Sequence, residues 1–158
     1  MPTNVLLITA DDLNCDSVGC FGCPVAGTTP RIDALTAEGL RFARAHVTCA
    51  VCMPSRSVLA TGRYPHRNGI EGFRGECLRA GTPRLMELLA AAGWRCGILG
   101  KQEHSSAAWD GWETALDACD LDRGRDPARY GRAVADFLAG DDRRPFYLMV
   151  NSHDPHRP

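Results

Sequence analysis

Asn4-Val-Leu-Leu-Ile-Thr-Ala10, followed at once by Asp11-Asp12, decides the reading of the fold. The run is continuous, apolar and of strand length, the pattern of a strand buried on both faces of a parallel sheet. Trp94-Arg-Cys-Gly-Ile-Leu99 and Pro145-Phe-Tyr-Leu-Met-Val150 repeat it. Helix signatures lie between them, each with a polar cap, a proline at the first helical position, apolar residues at helical spacing and a closing glycine. Thr82-Pro83 leads to Gly93, Asp126-Pro127 to Gly140 and Thr29-Pro30 to Gly39. Residues 41–49 read as a further strand and residues 109–125 as a long polar surface loop. Strands alternating with helices predict an α/β fold, a mainly parallel sheet with helices on both faces.

Each strong strand runs into a cluster of ionisable residues: Asp11-Asp12, then Lys101 to His104, then His153-Asp-Pro-His-Arg157. Ligands of open α/β sheets bind in the crevice outside the carboxyl ends of the strands, so the three clusters are expected on one rim. Asp11 and Asp12 would point to opposite faces of a regular strand. If the chain turns there, both can offer hard oxygen ligands to Ca²⁺ or Mg²⁺.

In Cys52-Met-Pro-Ser-Arg56, continued by Ser57-Val-Leu-Ala-Thr-Gly-Arg63, Pro54 suits a first helical position and Gly62 a stop. Cys52 is therefore expected just before a helix N-terminus, where backbone N–H groups and the helix dipole favour anions and Arg56 adds positive charge. Two readings stand on this evidence: a cysteine poised beside an oxyanion such as sulfate or phosphate, or a buried cysteine ahead of an ordinary helix.

The 18 basic and 19 acidic residues give a formal net charge of −1 without a long single-sign run, which argues against nucleic acid and anionic membrane as partners. The apolar run at residues 5–10 is too short to span a membrane and lacks the marks of a secretory leader. As written the chain reads as cytoplasmic, with periplasmic or secreted placement left open. Eight cysteines include two Cys-x-x-Cys pairs, Cys20 with Cys23 and Cys49 with Cys52. Two such pairs are compatible with a structural zinc, giving a zinc-stabilised binding module as one alternative; the other reading is free thiols packed as small apolar groups.

Cys52-Met-Pro-Ser-Arg56 with Thr61-Gly-Arg63 resembles the sulfatase signature C-x-P-S-R-x-x-x-x-T-G-R, whose cysteine becomes formylglycine after synthesis. Asn4 to Asp12 is similar to the family's opening strand and metal-binding Asp pair, and Thr29-Pro-Arg-Ile-Asp-Ala-Leu35 to the stretch that follows it. Gly100-Lys101 through His104 resembles a G-K-x-H element, and His153 the next catalytic histidine. The resemblance implies an alkaline-phosphatase-like fold, with residues 1–158 as the N-terminal part of a catalytic domain incomplete at its C-terminus. Residues 65–69 and 144–157 look like the heparan N-sulfatase, or sulfamidase, branch. Two departures accompany it: Lys101-Gln-Glu-His104 has one residue more than the usual element, with Glu103 at the usual histidine position, and the family's downstream Asp-Asn pair has no counterpart here.

The same resemblance implies roles. A divalent cation, Ca²⁺ with Mg²⁺ as alternative, would be held by Asp11, Asp12 and residue 52; hydrated formylglycine at position 52 would attack sulfur and later expel sulfate. Lys101 would neutralise sulfate charge, Arg56 would stabilise the hydrated aldehyde, and His153 or His104 would protonate the leaving group. The implied partners are a sulfated small molecule or sugar and, during maturation, a formylglycine-generating enzyme. His66 and His156 read as structural or substrate-side, and His46 as a strand residue. Phosphonate monoester or phosphodiester hydrolysis and a truncated, non-catalytic chain are the remaining alternatives.

Overall fold

The computed structural model describes residues 3–73, 77–102, 104, 109–140 and 142–156. Strands β1 (Val5–Ala10), β2 (Arg95–Leu99), β3 (Thr114–Leu116) and β4 (Phe146–Ser152) form one sheet in the order β1-β4-β2-β3. Every pairing is parallel, with Leu7 opposite Met149, Ile98 opposite Met149, and Leu99 opposite Leu116. The expected fold class therefore holds, and β4 is central, between β1 and β2.

Of the helices α1 (Pro30–Glu38), α2 (Cys52–Thr61), α3 (Pro65–Asn68), α4 (Leu85–Ala91) and α5 (Pro127–Leu138), α2 and α4 cover one face of the sheet and α5 the other, while α3 packs on α2 and α1 against residues 19–21. On one face Ala60 of α2 and Met86 of α4 pack with Cys96, Ile98, Tyr147 and Met149. On the other, Tyr130 and Phe137 of α5 pack with Leu99, Leu148 and Val150. Alternate residues of β2 and β4 thus serve opposite layers, as the two-residue period of a strand requires. Gly97 belongs to this packing because a Cβ there would lie 2.7 Å from the Phe137 ring.

Four expectations need correction. Residues 41–49 form no strand, and their side chains are mostly exposed, His46 included; without a neighbouring strand to take up its N–H and C=O groups, an alternating pattern does not make a strand. The predicted loop at 109–125 contains β3, whose three residues are too few to show a period. Leu85 rather than Pro83 opens α4, capped by the Arg84 backbone N–H donating to the Glu87 carboxylate at 2.9 Å. Finally, β1 is not buried on both faces. It pairs only with β4 among the described residues, and Val5, Leu6 and Ile8 are exposed, Ile8 at 65%.

The chain turns sharply after β2. Gly100 has φ +76°, and a Cβ on it would collide with the Asn151 carbonyl and lie 2.6 Å from the Tyr130 hydroxyl. Gly100→Ala combines left-handed strain with overpacking and is expected to destabilise the fold by about 2 to 4 kcal/mol. Urea unfolding should show a lower midpoint at an unchanged slope.

Candidate functional site

The rim is organised by a polar group inside the sheet. Asn151 sits near the carboxyl end of central β4 and is fully buried. Its Oδ1 accepts hydrogen bonds from the Thr9 hydroxyl at 2.7 Å and from the Arg56 guanidinium at 2.8 Å. Its Nδ2 donates to the Gly100 carbonyl at 3.0 Å, and its own carbonyl accepts from the Tyr130 hydroxyl at 3.1 Å. One residue therefore fixes the ends of β1 and β2 relative to α2 and α5.

Asp11 and Lys101 meet on this frame, 2.6 Å apart, with side chains only 6% and 5% exposed. Burial opposes ionisation of Asp11, but the Lys101 ammonium, aided by Arg56 and His156, outweighs it and holds the carboxyl below its usual range. Asp12 has φ +56° and Lys101 φ +52°. Both take a conformation that non-glycine residues seldom adopt, which is the kind of local strain that functional sites store. The turn at Asp12 is the one the paired-carboxylate reading required. Asp11 points inward, whereas Asp12 is exposed and lies 3.8 Å from His156 Nε2. The His156 ring stands 4.9 Å from that of His153. Burial, then the positive charges of Lys101 and His156, lower the His153 pKa, with Asp11 opposing.

Cys52 is the first residue of α2, not the residue before it, and Pro54 falls at the third position. Proline is tolerated throughout that first turn because the N–H it lacks would have no intrahelical acceptor there, so it marks a helix start without fixing the register. Gly62 ends the helix with φ +65°, as expected. Arg56, one turn on from Cys52, is buried. Burial lowers its pKa, while Asp11 and Cys52 oppose that effect. His104 Nδ1 lies 3.6 Å from Cys52 Sγ. Asp11, Asp12, Cys49, Cys52 and Arg56 line one cleft of about 510 Å³.

A divalent cation fits this site in kind. Asp11 Oδ2 is buried without a well-aligned hydrogen bond, with the Lys101 ammonium 2.6 Å away. Asp12 opens onto the same cleft, so hard carboxylate oxygen donors are at hand. The number of donors is short: among the described residues no group of three or more His, Cys, Asp or Glu could hold a metal. The same fact leaves the two Cys-x-x-Cys pairs without the shared site that a structural zinc needs.

Asp11, Arg56, Lys101, Cys52 and His104 are thus brought together, with Asp12 and His153 beside them through His156. The extra residue before His104 does not keep its imidazole from the Cys52 thiol. Glu103 and Arg157 lie outside the described residues. Sequence reading missed Asn151, Thr9 and Tyr130 and set His156 aside. A polar residue directly continuing the apolar run at 145–150 was the one available signal for Asn151.

The sulfatase family model matches residues 3–158. Human N-sulphoglucosamine sulphohydrolase is 36% identical over 99% of this chain and 32% of its own length. Bovine arylsulfatase A is 46% identical over 63% of this chain and 20% of its own length. Among solved structures, a protein in complex with its substrate D-glucosamine-2-N,6-O-disulfate superposes with a TM-score of 0.82 at 22% identity, over 98% of this chain and 35% of that one. Phosphonate monoester hydrolase of Agrobacterium radiobacter superposes at 0.74 with 21% identity, over 99% of this chain and 42% of that one. At such identities these two likenesses show the fold alone. The chain spans about a third or less of the curated relatives it matches, and it belongs to the sulfatase family.

Proposed function

We propose that the chain is the N-terminal part of a sulfatase catalytic domain, which hydrolyses a sulfate ester or N-sulfate of a sugar through formylglycine made from Cys52. The observation that carries this reading is the convergence of Cys52, Arg56, His104, Asp11 and Lys101 at the carboxyl edge of one parallel sheet. The N-sulfated sugar is favoured by the match to N-sulphoglucosamine sulphohydrolase along 99% of this chain.

Each residue has a task that its surroundings support. Arg56, held by Asn151 and Thr9, presents a fixed positive charge beside residue 52. Lys101 balances Asp11 and is placed to meet sulfate charge, a preorganised electrostatic contribution. Asp11 and Asp12, with the oxygen of modified residue 52, would hold a divalent cation, calcium or else magnesium. Bound there, the cation supplies Lewis-acid polarisation and formylglycine supplies the nucleophilic oxygen. His104 stands at residue 52, where it can hold or move a proton. His153 lies on the Asp11 and Lys101 side, where it can protonate a departing oxygen or nitrogen.

Co-expression with a formylglycine-generating enzyme should place the aldehyde at Cys52 and not at Cys49, read by peptide mass. Aldehyde at Cys49, or at neither residue despite active enzyme, sinks the reading. The aldehyde-bearing 158-residue chain should turn over aryl sulfate at no useful rate in saturating calcium, because a loosely held cation positions charge poorly. The same chain joined to the downstream portion of a sulfatase should be active. Glucosamine N-sulfate should then be preferred to phenyl phosphonate; the reverse preference would move the assignment to phosphorus. Equal turnover by the bare chain would overturn the account of an incomplete metal site.

A histidine that acts as general acid must carry its proton. With the His153 pKa lowered, kcat/KM of the joined protein should fall as pH rises through a value below about 6.5. His153→Gln should abolish that limb and cost on the order of 10²-fold with a poor leaving group, but much less with an activated aryl sulfate. An unchanged profile would remove His153 from the acid role.

A further inference from the structure

Cys49, the first member of the second Cys-x-x-Cys pair, lines the cleft but has no task in the site as described so far. Cys49 and Cys52 line the same cleft, both partly exposed and both free thiols. The backbone bends at residues 50 and 51 between them, and α2 starts only at Cys52, so residues 49–51 are not held in helical geometry. A disulfide needs Cα atoms roughly 4.4 to 6.8 Å apart, a separation that three residues of bent chain can span. The Cys52 thiol faces the buried Arg56 charge one helical turn on and lies 3.6 Å from His104 Nδ1. Two free thiols and an imidazole nitrogen beside one of them are therefore present in one solvent-accessible cleft, an arrangement suited to thiol–disulfide exchange.

We propose that Cys49 and Cys52 form a reversible disulfide which withholds Cys52 from conversion to formylglycine, making maturation of this chain sensitive to redox conditions. The oxidant is a low-molecular-weight disulfide such as oxidised glutathione. Cys52 sulfur attacks one sulfur of the oxidant, the S–S bond of the oxidant breaks, and the first glutathione leaves as a thiol carrying the proton that Cys52 gives up. Cys49 sulfur then displaces the second glutathione and closes the Cys49–Cys52 bond. Two thiols of the protein lose two electrons in total, and the oxidant becomes two thiols. Reduction by the same class of thiol reverses both exchanges. The bridge itself depends only on local geometry; its effect on maturation rests on the reading of Cys52 as the modified residue.

Trypsin reports on the pair directly, because residues 45–56 form one peptide holding Cys49 and Cys52 and no other cysteine. Unmodified chain is equilibrated with graded ratios of oxidised to reduced glutathione, alkylated, digested and weighed. The expected result is a peptide lighter by two hydrogens and refractory to alkylation, replaced in Cys49→Ser by Cys52 carrying glutathione. No bridge at the most oxidising ratio, or Cys52 bonded indifferently to Cys15, Cys77 and Cys119, overturns the proposal. Oxidised and reduced chains are then offered to formylglycine-generating enzyme. Conversion of the reduced chain alone, restored to the oxidised chain by dithiothreitol, supports the gate, and equal conversion of both refutes it. If neither the reduced nor the restored chain is converted, the maturation reading fails and takes the gate with it, while the mass of the 45–56 peptide still decides the bridge.

Discussion

The hydrogen bonds of the Asn151 side chain are the constraint on which the rim depends. An amide buried in the middle of a sheet must satisfy its donor and acceptor or forfeit roughly 1 to 3 kcal/mol for each group left unpaired. Asn151 meets that demand with groups distant in sequence: Thr9 across the β1–β4 pairing, Arg56 from α2 and Gly100 from the end of β2. The requirement cuts both ways. A shift of α2 that would carry Cys52 away from the rim would strand the Arg56 guanidinium, a buried charge, without its acceptor.

Charge is balanced on the same scale. Asp11 and Lys101 are each almost fully enclosed, and each makes the other tolerable there. Removing one partner leaves an uncompensated ion, which costs about 3 to 5 kcal/mol in buried pairs. Arg56 adds to the field that keeps Asp11 ionised, and Asp11 in turn supports the charge on Arg56. Frame and chemistry are therefore coupled: the residues proposed to handle sulfate are also those that neutralise the interior beside the strand ends.

How far this was legible differs element by element. Strands β1, β2 and β4 announced themselves because an unbroken apolar run has few other uses in a chain of ordinary composition. The clustering of Asp11, Lys101 and His153 followed from the rule that parallel strands end on a common edge. Cys52 was legible through a long motif, yet its position in α2 was misplaced because Pro54 fits anywhere in a first helical turn. Residues 41–49 alternate plausibly but find no neighbour, and pairing, not pattern, makes a strand. The bond from Arg56 to Asn151 joins residues 95 apart in the chain. Nothing in either local sequence specifies the other, so that contact required the assembled sheet.

The side of β1 that has no partner among the described residues has a practical meaning of its own. Residues 5–10 contain no lysine, glutamate or proline, the residues with which natural edges discourage intermolecular strand addition, and Ile8 presents its side chain to water. A backbone ladder left half used over six residues is a template for another extended chain. A net charge of only −1 does little to keep two such borders apart.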